Sequence, residues 1–187
     1  MDFLSLLKSR HSVKSFKDEI VPGDKVKAIL DMVTLSPSFK NLQSYKLILI
    51  SDNTTKENIE KIIPDDNSAK KGFIEAPLSI VVTAREDVSS YYEDNQFYML
   101  DGAIAMYTLL LAATSEGLGS CWIEIINEDA LRSALDIPSN YRVIGLTPIG
   151  YTQNSIGYIK PSSGMIDKKS ISDISHENLW NKEIDYF

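Results

Sequence analysis

The chain has 187 residues, 43% hydrophobic and 24% charged, enough apolar material for a sizeable core and a length that fits one domain. Its formal net charge of −7 repels phosphate backbones and anionic lipid on average, which argues against nucleic-acid or membrane partners but allows a local basic cluster to grip one phosphate. The single cysteine, Cys121, excludes an intrachain disulfide, and no cysteine-histidine spacing suits zinc, so no metal and a reducing, cytoplasmic setting are expected.

Residues 1–20 scatter Asp2, Lys8, Arg10, Lys14 and Lys17 among short apolar runs, which is not the pattern of a secretory signal. Phe3, Leu4, Leu6 and Leu7 ahead of Lys8 predict a short amphipathic helix ending in a cationic turn at Arg10. After Pro22, the spacing of Val26, Ile29, Leu30 and Val33 predicts a second helix to about Ser36, where Pro37 interrupts it. A loop over 37–44 then leads to a β-rich run at 45–51, a surface helix at 54–63 stopped by Pro64, and a polar connector at 65–71. Residues 78–84, with Ile80, Val81 and Val82 in a row, predict a buried strand, and 87–95 a loop.

Residues 96–116 are apolar on nearly every face and end before Gly117 and Gly119, which predicts a central helix that could also serve a subunit interface. Its most apolar run, 103–113, is shorter than the roughly 18 residues of a membrane span. A third strand at 120–126, a short helix at 128–135 and a fourth strand at 141–151 follow. From 152 onward the composition turns polar, so 152–187 reads as a C-terminal extension of a single domain 1–187 that wraps a neighbour.

The sequence has no internal repeat, and the phosphate-loop, dinucleotide, zinc-protease and nucleophile-elbow motifs are absent in their required contexts. Gly117-Leu118-Gly119 lacks a third glycine and reads as a helix stop. Arg10-His11-Ser12-Val13-Lys14 places a planar guanidinium, a hydroxyl and an ammonium within five residues. That set suits a phosphate, while a solvated cationic helix terminus is the plainer alternative. Ser36 to Gln43 gathers hydroxyl and amide groups that could read a heterocycle's edge or merely cap a helix-to-strand connection.

Taken in order, RHSVKSF, PSFKNLQSYKLILI, DGAIAMYTLLLAATSEGLGSCWIE and IGLTPIGY resemble the FMN-dependent nitroreductases over nearly the whole chain. The resemblance implies an α+β fold: a three-layer α/β/α sandwich with a mixed, mostly antiparallel sheet. It also implies a homodimer with FMN at the subunit interface and an exchanged C-terminal arm. Arg10 and Ser12 would bind the FMN phosphate, His11 would add backbone or stacking contacts, and Lys14 would approach the N1/O2 side of the ring. Pro37, Ser38 and Asn41 would line the ring and ribityl chain, with Gln43 supporting their loop. Trp122, Ile123 and Glu124 match the strand end that faces the flavin, where the family offers a backbone N–H near N5. Lys168 and Lys169 resemble a terminal basic pair that completes the phosphate site.

Four departures from the family pattern stand out: Glu124 for glycine, lysine for arginine at 168–169, Ser44-Tyr45 for Pro-Trp, and Thr152 for proline. The resemblance implies that NADH or NADPH reduces bound FMN, which then reduces a nitroaromatic, quinone or similar small acceptor by ping-pong exchange. The flavin carries that chemistry, so no side chain is assigned a catalytic role. A flavin-sequestering protein without efficient turnover, or a specialised enzyme such as a reductive dehalogenase, is the alternative.

Overall fold

The computed structural model describes residues 1–89, 96–124, 127–153 and 168–184. In chain order its elements are α1 (Phe3–Ser9), α2 (Gly23–Val33), β1 (Tyr45–Ile50), α3 (Asn53–Glu60), α4 (Lys70–Glu75), β2 (Leu78–Arg85), α5 (Glu86–Ser89), α6 (Phe97–Ser115), β3 (Gly119–Ser120), α7 (Glu128–Ala134), β4 (Tyr141–Gly150) and α8 (Ile171–Ile174). The chain divides into two compact units, Met1–Gly157 and Tyr158–Phe187.

The first unit is organised by β2, which pairs antiparallel with β1 on one side and β4 on the other. β3 adds to the far edge of β4, giving the order β1-β2-β4-β3. Successive residues of a strand face opposite ways, and here both faces of β2 are covered, so it reads as a continuous apolar run. Ile80 and Val82 pack with Ile29 and Val33 of α2 and with Met106 and Leu109 of α6. Val81 and Leu146 pack on the other face with Ile59 of α3, Phe73 of α4 and Leu131 of α7. The result is the expected α+β sandwich of helices, sheet and helices.

Local signals explain several helix boundaries. Asp2, Asp52 and Asn127 accept the N–H groups of Ser5, Thr55 and Ala130 at 3.0, 2.8 and 3.0 Å, capping α1, α3 and α7. α2 stops at Val33, three residues before the expected limit, and the chain turns through Ser36, whose N–H donates to Val33 O at 3.0 Å. α6 is long and apolar enough to cross a membrane by length and composition, but 56% of its 18-residue apolar stretch is buried inside the protein, as in a core helix.

Three features depart from the sequence expectation. The connector at 65–71 leads into a helix, α4, too short to show a periodic pattern, which buries Gly72 and Phe73. The loop expected from 87 opens inside a helical turn, α5, and residues 90–95 lie outside the described structure. The strand expected over 120–126 pairs only at Gly119 and Ser120, then once more where Ile123 exchanges two hydrogen bonds with Leu146 at 2.8 and 3.0 Å. The register between them is continuous and places Cys121 opposite Pro148, which has no N–H to donate, so the ladder breaks there. Residues 125 and 126 lie outside the described structure.

Candidate functional site

The cationic segment leaves α1 at Arg10, whose N–H donates to Leu6 O at 3.1 Å and whose extended backbone redirects the chain. The next residues run along the β3 edge: Ser12 forms a parallel bridge with Ser120, and Val13 N–H donates to Ser120 O at 2.9 Å. This supplies the parallel component of an otherwise antiparallel sheet. Val13 is buried while Ser12 and Lys14 are exposed, and the two-residue alternation puts Arg10, Ser12 and Lys14 on one face. All three act on Cys121: burial pushes its thiol up, while the Ser12 hydroxyl and the Lys14 and Arg10 charges pull it back.

Among the described residues neither Arg10 nor Lys14 forms an ion pair; the Lys14 ammonium donates to Ser68 Oγ at 2.5 Å. His11 takes the inward side. Its Nδ1–H donates to Ser9 O at 2.9 Å, and its buried Nε2, beside Thr114, Leu118 and Gly119, has no partner among the described residues.

Helix α4 backs this segment. Gly72 lies so close that a Cβ there would sit 2.8 Å from Lys14 O and 2.9 Å from Lys14 C. One turn on, Glu75 Oε2 accepts the Ser15 hydroxyl and the Phe16 N–H, each at 3.0 Å. Burial raises the Glu75 carboxyl, but those two donors and Lys71 outweigh it and hold it below the usual carboxylate range.

The second group, residues 37–44, rests on α6. Phe39 stacks on Phe97 with ring centroids 4.1 Å apart and 5° between planes. Phe39 N–H donates to Asp101 Oδ1 at 2.7 Å, and the Ser44 hydroxyl donates to Asp101 Oδ2 at 2.9 Å. Inside the loop Gln43 N–H donates to Ser38 Oγ at 3.0 Å and Asn41 N–H to Ser38 O at 3.0 Å. Pro37, Asn41 and Gln43 are exposed and Ser38 is half-buried, so the loop presents the Asn41 and Gln43 side chains at the surface. Burial, followed by the Asp101 charge, pushes the neighbouring Tyr45 phenol up.

The third group follows β3. Trp122 is 39% exposed, and its indole lies across Gly145 of β4, where a Cβ would fall 2.9 Å from Cδ1 and 3.2 Å from Met106 Cε. Ile123 is buried in the core and its amide is committed to Leu146, whereas Glu124 is exposed.

A family model described as "Nitroreductase family" matches residues 7–151. The chain belongs to the nitroreductase family. A crystal structure of a nitroreductase family protein from Clostridium novyi NT is 34% identical, with a TM-score of 0.78 over 98% of this chain and 97% of that one. An FMN-dependent nitroreductase from Clostridium difficile R20291 is 27% identical, with a TM-score of 0.78 over 95% of this chain and all of that one. A protein of Methanothermobacter thermautotrophicus, provisionally named NADH dehydrogenase/NAD(P)H nitroreductase, is 28% identical over 161 residues, 84% of this chain and 81% of that one.

Within this nitroreductase-family fold, Lys168 and Lys169 belong to the second unit, where both are exposed just ahead of α8. Ser170 and Asp173 form a capping box there, and His176 meets Trp180 with ring centroids 4.7 Å apart. Reading the sequence alone misses Gly72, Glu75 and Asp101. The first two fall in a helix without visible periodicity. Asp101 did carry a signal, as the sole charged residue of α6.

Proposed function

We propose that this oxidoreductase holds FMN, takes electrons from NADH or NADPH and passes them to a nitroaromatic, quinone or similar small acceptor by ping-pong exchange. The observation that carries the reading is the common face of Arg10, Ser12 and Lys14: two cations without a carboxylate partner among the described residues, beside a hydroxyl, in a chain of net charge −7. With acidic side chains in excess, two such cations left together suit an anion supplied from outside. Arg10 and Ser12 are the phosphate ligands in this reading. Lys14 favours negative charge on the flavin edge it approaches, and His11 contributes through its backbone.

Pro37, Ser38 and Asn41 contact the ring and ribityl chain, and Gln43 holds their loop. Trp122, Ile123 and Glu124 form the boundary on the N5 side, with Glu124 narrowing access where relatives carry glycine. Because the Ile123 amide already donates to Leu146, a neighbouring amide is the candidate donor there. Lys168 and Lys169 are carried as further phosphate ligands on the resemblance alone. Bound FMN supplies the hydride chemistry, so the protein's task is to bind, orient and tune it. The lone thiol of Cys121 suits a reducing cytoplasm.

A homodimer is part of the proposal. Leu100, Ile104 and Tyr107 of α6 are 59%, 38% and 45% exposed at helical spacing, and Phe3, Leu4 and Leu7 of α1 are exposed as well. Exposed apolar side chains at this spacing support the dimer reading.

The test is the absorbance spectrum of the purified, unsupplemented protein, followed by anaerobic addition of NADH and of NADPH. An oxidised flavin spectrum bleached by either nucleotide is expected. A bound flavin that stays yellow with both sinks the reductase reading and leaves a flavin-sequestering protein, and product analysis with nitroaromatic and halogenated acceptors separates the remaining enzyme classes.

A further inference from the structure

A carboxylate buried in an apolar helix is costly unless its oxygens are fully engaged. Asp101 is 2% exposed and is the sole charged residue of α6. Both its oxygens are spent on the 37–44 loop: Oδ1 accepts Phe39 N–H at 2.7 Å and Oδ2 accepts the Ser44 hydroxyl at 2.9 Å. One side chain thus grips both ends of residues 39–44.

That stretch has reason to be gripped. Lys40, Asn41 and Gln43 sit at φ 48°, 57° and 48°, in the left-handed region that disfavours lysine and glutamine and that asparagine only tolerates. Three such residues within four persist only where surrounding contacts over-determine them. Phe97, one turn before Asp101 on the same face of α6, stacks on Phe39 and closes the clamp. At its other end Ser44 O accepts the Arg85 N–H at 2.8 Å, tying the loop to the end of β2.

We infer that Asp101 is a positioning residue for the flavin loop, holding Pro37, Ser38, Asn41 and Gln43 in one backbone conformation before a ligand arrives. The inference rests on the proposed assignment of that loop to FMN. Pre-ordering of this kind raises affinity by removing the ordering cost from the binding step.

The experiment compares the full chain with Asp101→Leu, Asp101→Asn and Ser44→Ala, reading FMN affinity by fluorescence titration and amide exchange at Phe39 and in β2. Asp101→Leu is expected to weaken FMN binding by about tenfold or more and to speed Phe39 exchange similarly, while Val81 and Val82 stay protected. Asp101→Asn keeps an acceptor for the Phe39 amide and should recover most of both losses. Ser44→Ala, which removes one bond, should fall between.

A folded Asp101→Leu whose FMN affinity and Phe39 exchange lie within about twofold of the parent overturns the inference. So does a loss of protection spread equally over β2 with unchanged affinity in the folded fraction, the signature of a purely structural role. Should Asp101→Leu fail to fold, Ser44→Ala decides: unchanged affinity and unchanged loop exchange refute the clamp. A parent chain that binds no FMN defeats the flavin assignment, and the clamp is then judged on Phe39 exchange alone.

Discussion

Replacing Gly72 by alanine tests whether α4 sets the position of the cationic segment. The added Cβ would lie 2.8 Å from Lys14 O, where ordinary contact begins near 3.4 Å, and the obstructing atoms are backbone. Helix and segment must therefore part by about 0.6 Å. If α4 retreats directly, the two 3.0 Å bonds from Ser15 and Phe16 to Glu75 stretch toward about 3.6 Å, beyond useful hydrogen-bond length. Overpacking of this kind costs about 1–3 kcal/mol, against about 1 kcal/mol regained from alanine's better helix propensity. The net expectation is a loss of roughly 0–2 kcal/mol, a fall of a few degrees in Tm.

FMN binding should suffer more, because Ser12 and Lys14 move with the segment. The assay is thermal melting of the apoprotein paired with FMN titration, using Gly23→Ala as control, since a Cβ at Gly23 meets nothing within 4 Å. Gly72→Ala that matches Gly23→Ala in both measurements refutes the reasoning.

Arg10→Ala should cost on the order of 1.5–3 kcal/mol of FMN binding by removing a charge-assisted contact, roughly ten- to hundredfold in Kd; an unchanged Kd contradicts its role. Gly145→Ala should push the indole of Trp122 outward and red-shift its emission, measured in a Trp180→Phe background, with about 1 kcal/mol of stability lost; an unshifted spectrum argues against the contact.

Glu128 gives a pH test. Burial raises its carboxyl, but Arg142 at 2.9 and 2.7 Å and the Val143 N–H at 2.9 Å hold it below the ordinary value. A carboxyl depressed by folding contributes fully above its unfolded value, about 4.3, and loses that contribution as pH falls through the lower folded value. Glu128→Gln should therefore be less stable than the parent at pH 7, by roughly 1–2 kcal/mol given the partial exposure of Arg142. The gap should shrink on acidification, and a pH-independent gap in Tm would contradict this account.

Much of the architecture is legible in local pattern. The apolar run at 78–84 predicts β2 and the all-round apolarity of 96–116 predicts α6, because fully buried elements need no polar face. The strand expected over 120–126 is less legible: its residues look extended, yet the ladder breaks after Ser120 because the partner strand carries Pro148, a fact of pairing and not of the strand itself.

By itself the sequence determines which residue types lie near one another along the chain. Arg10, Ser12 and Lys14 are spaced by two, so an extended segment places them on one face, and the 37–44 loop shows its hydroxyls and amides directly. Only the tertiary structure decides what holds these groups still. Asp101 meets Phe39 across 62 residues and Glu75 meets Phe16 across 59, contacts that no local periodicity encodes. The same packing turns the His11 ring inward and commits the Ile123 amide to Leu146. Recognition chemistry is local in the chain, whereas positioning needs rigid elements brought from far away, and that separation is why the first was readable and the second was not.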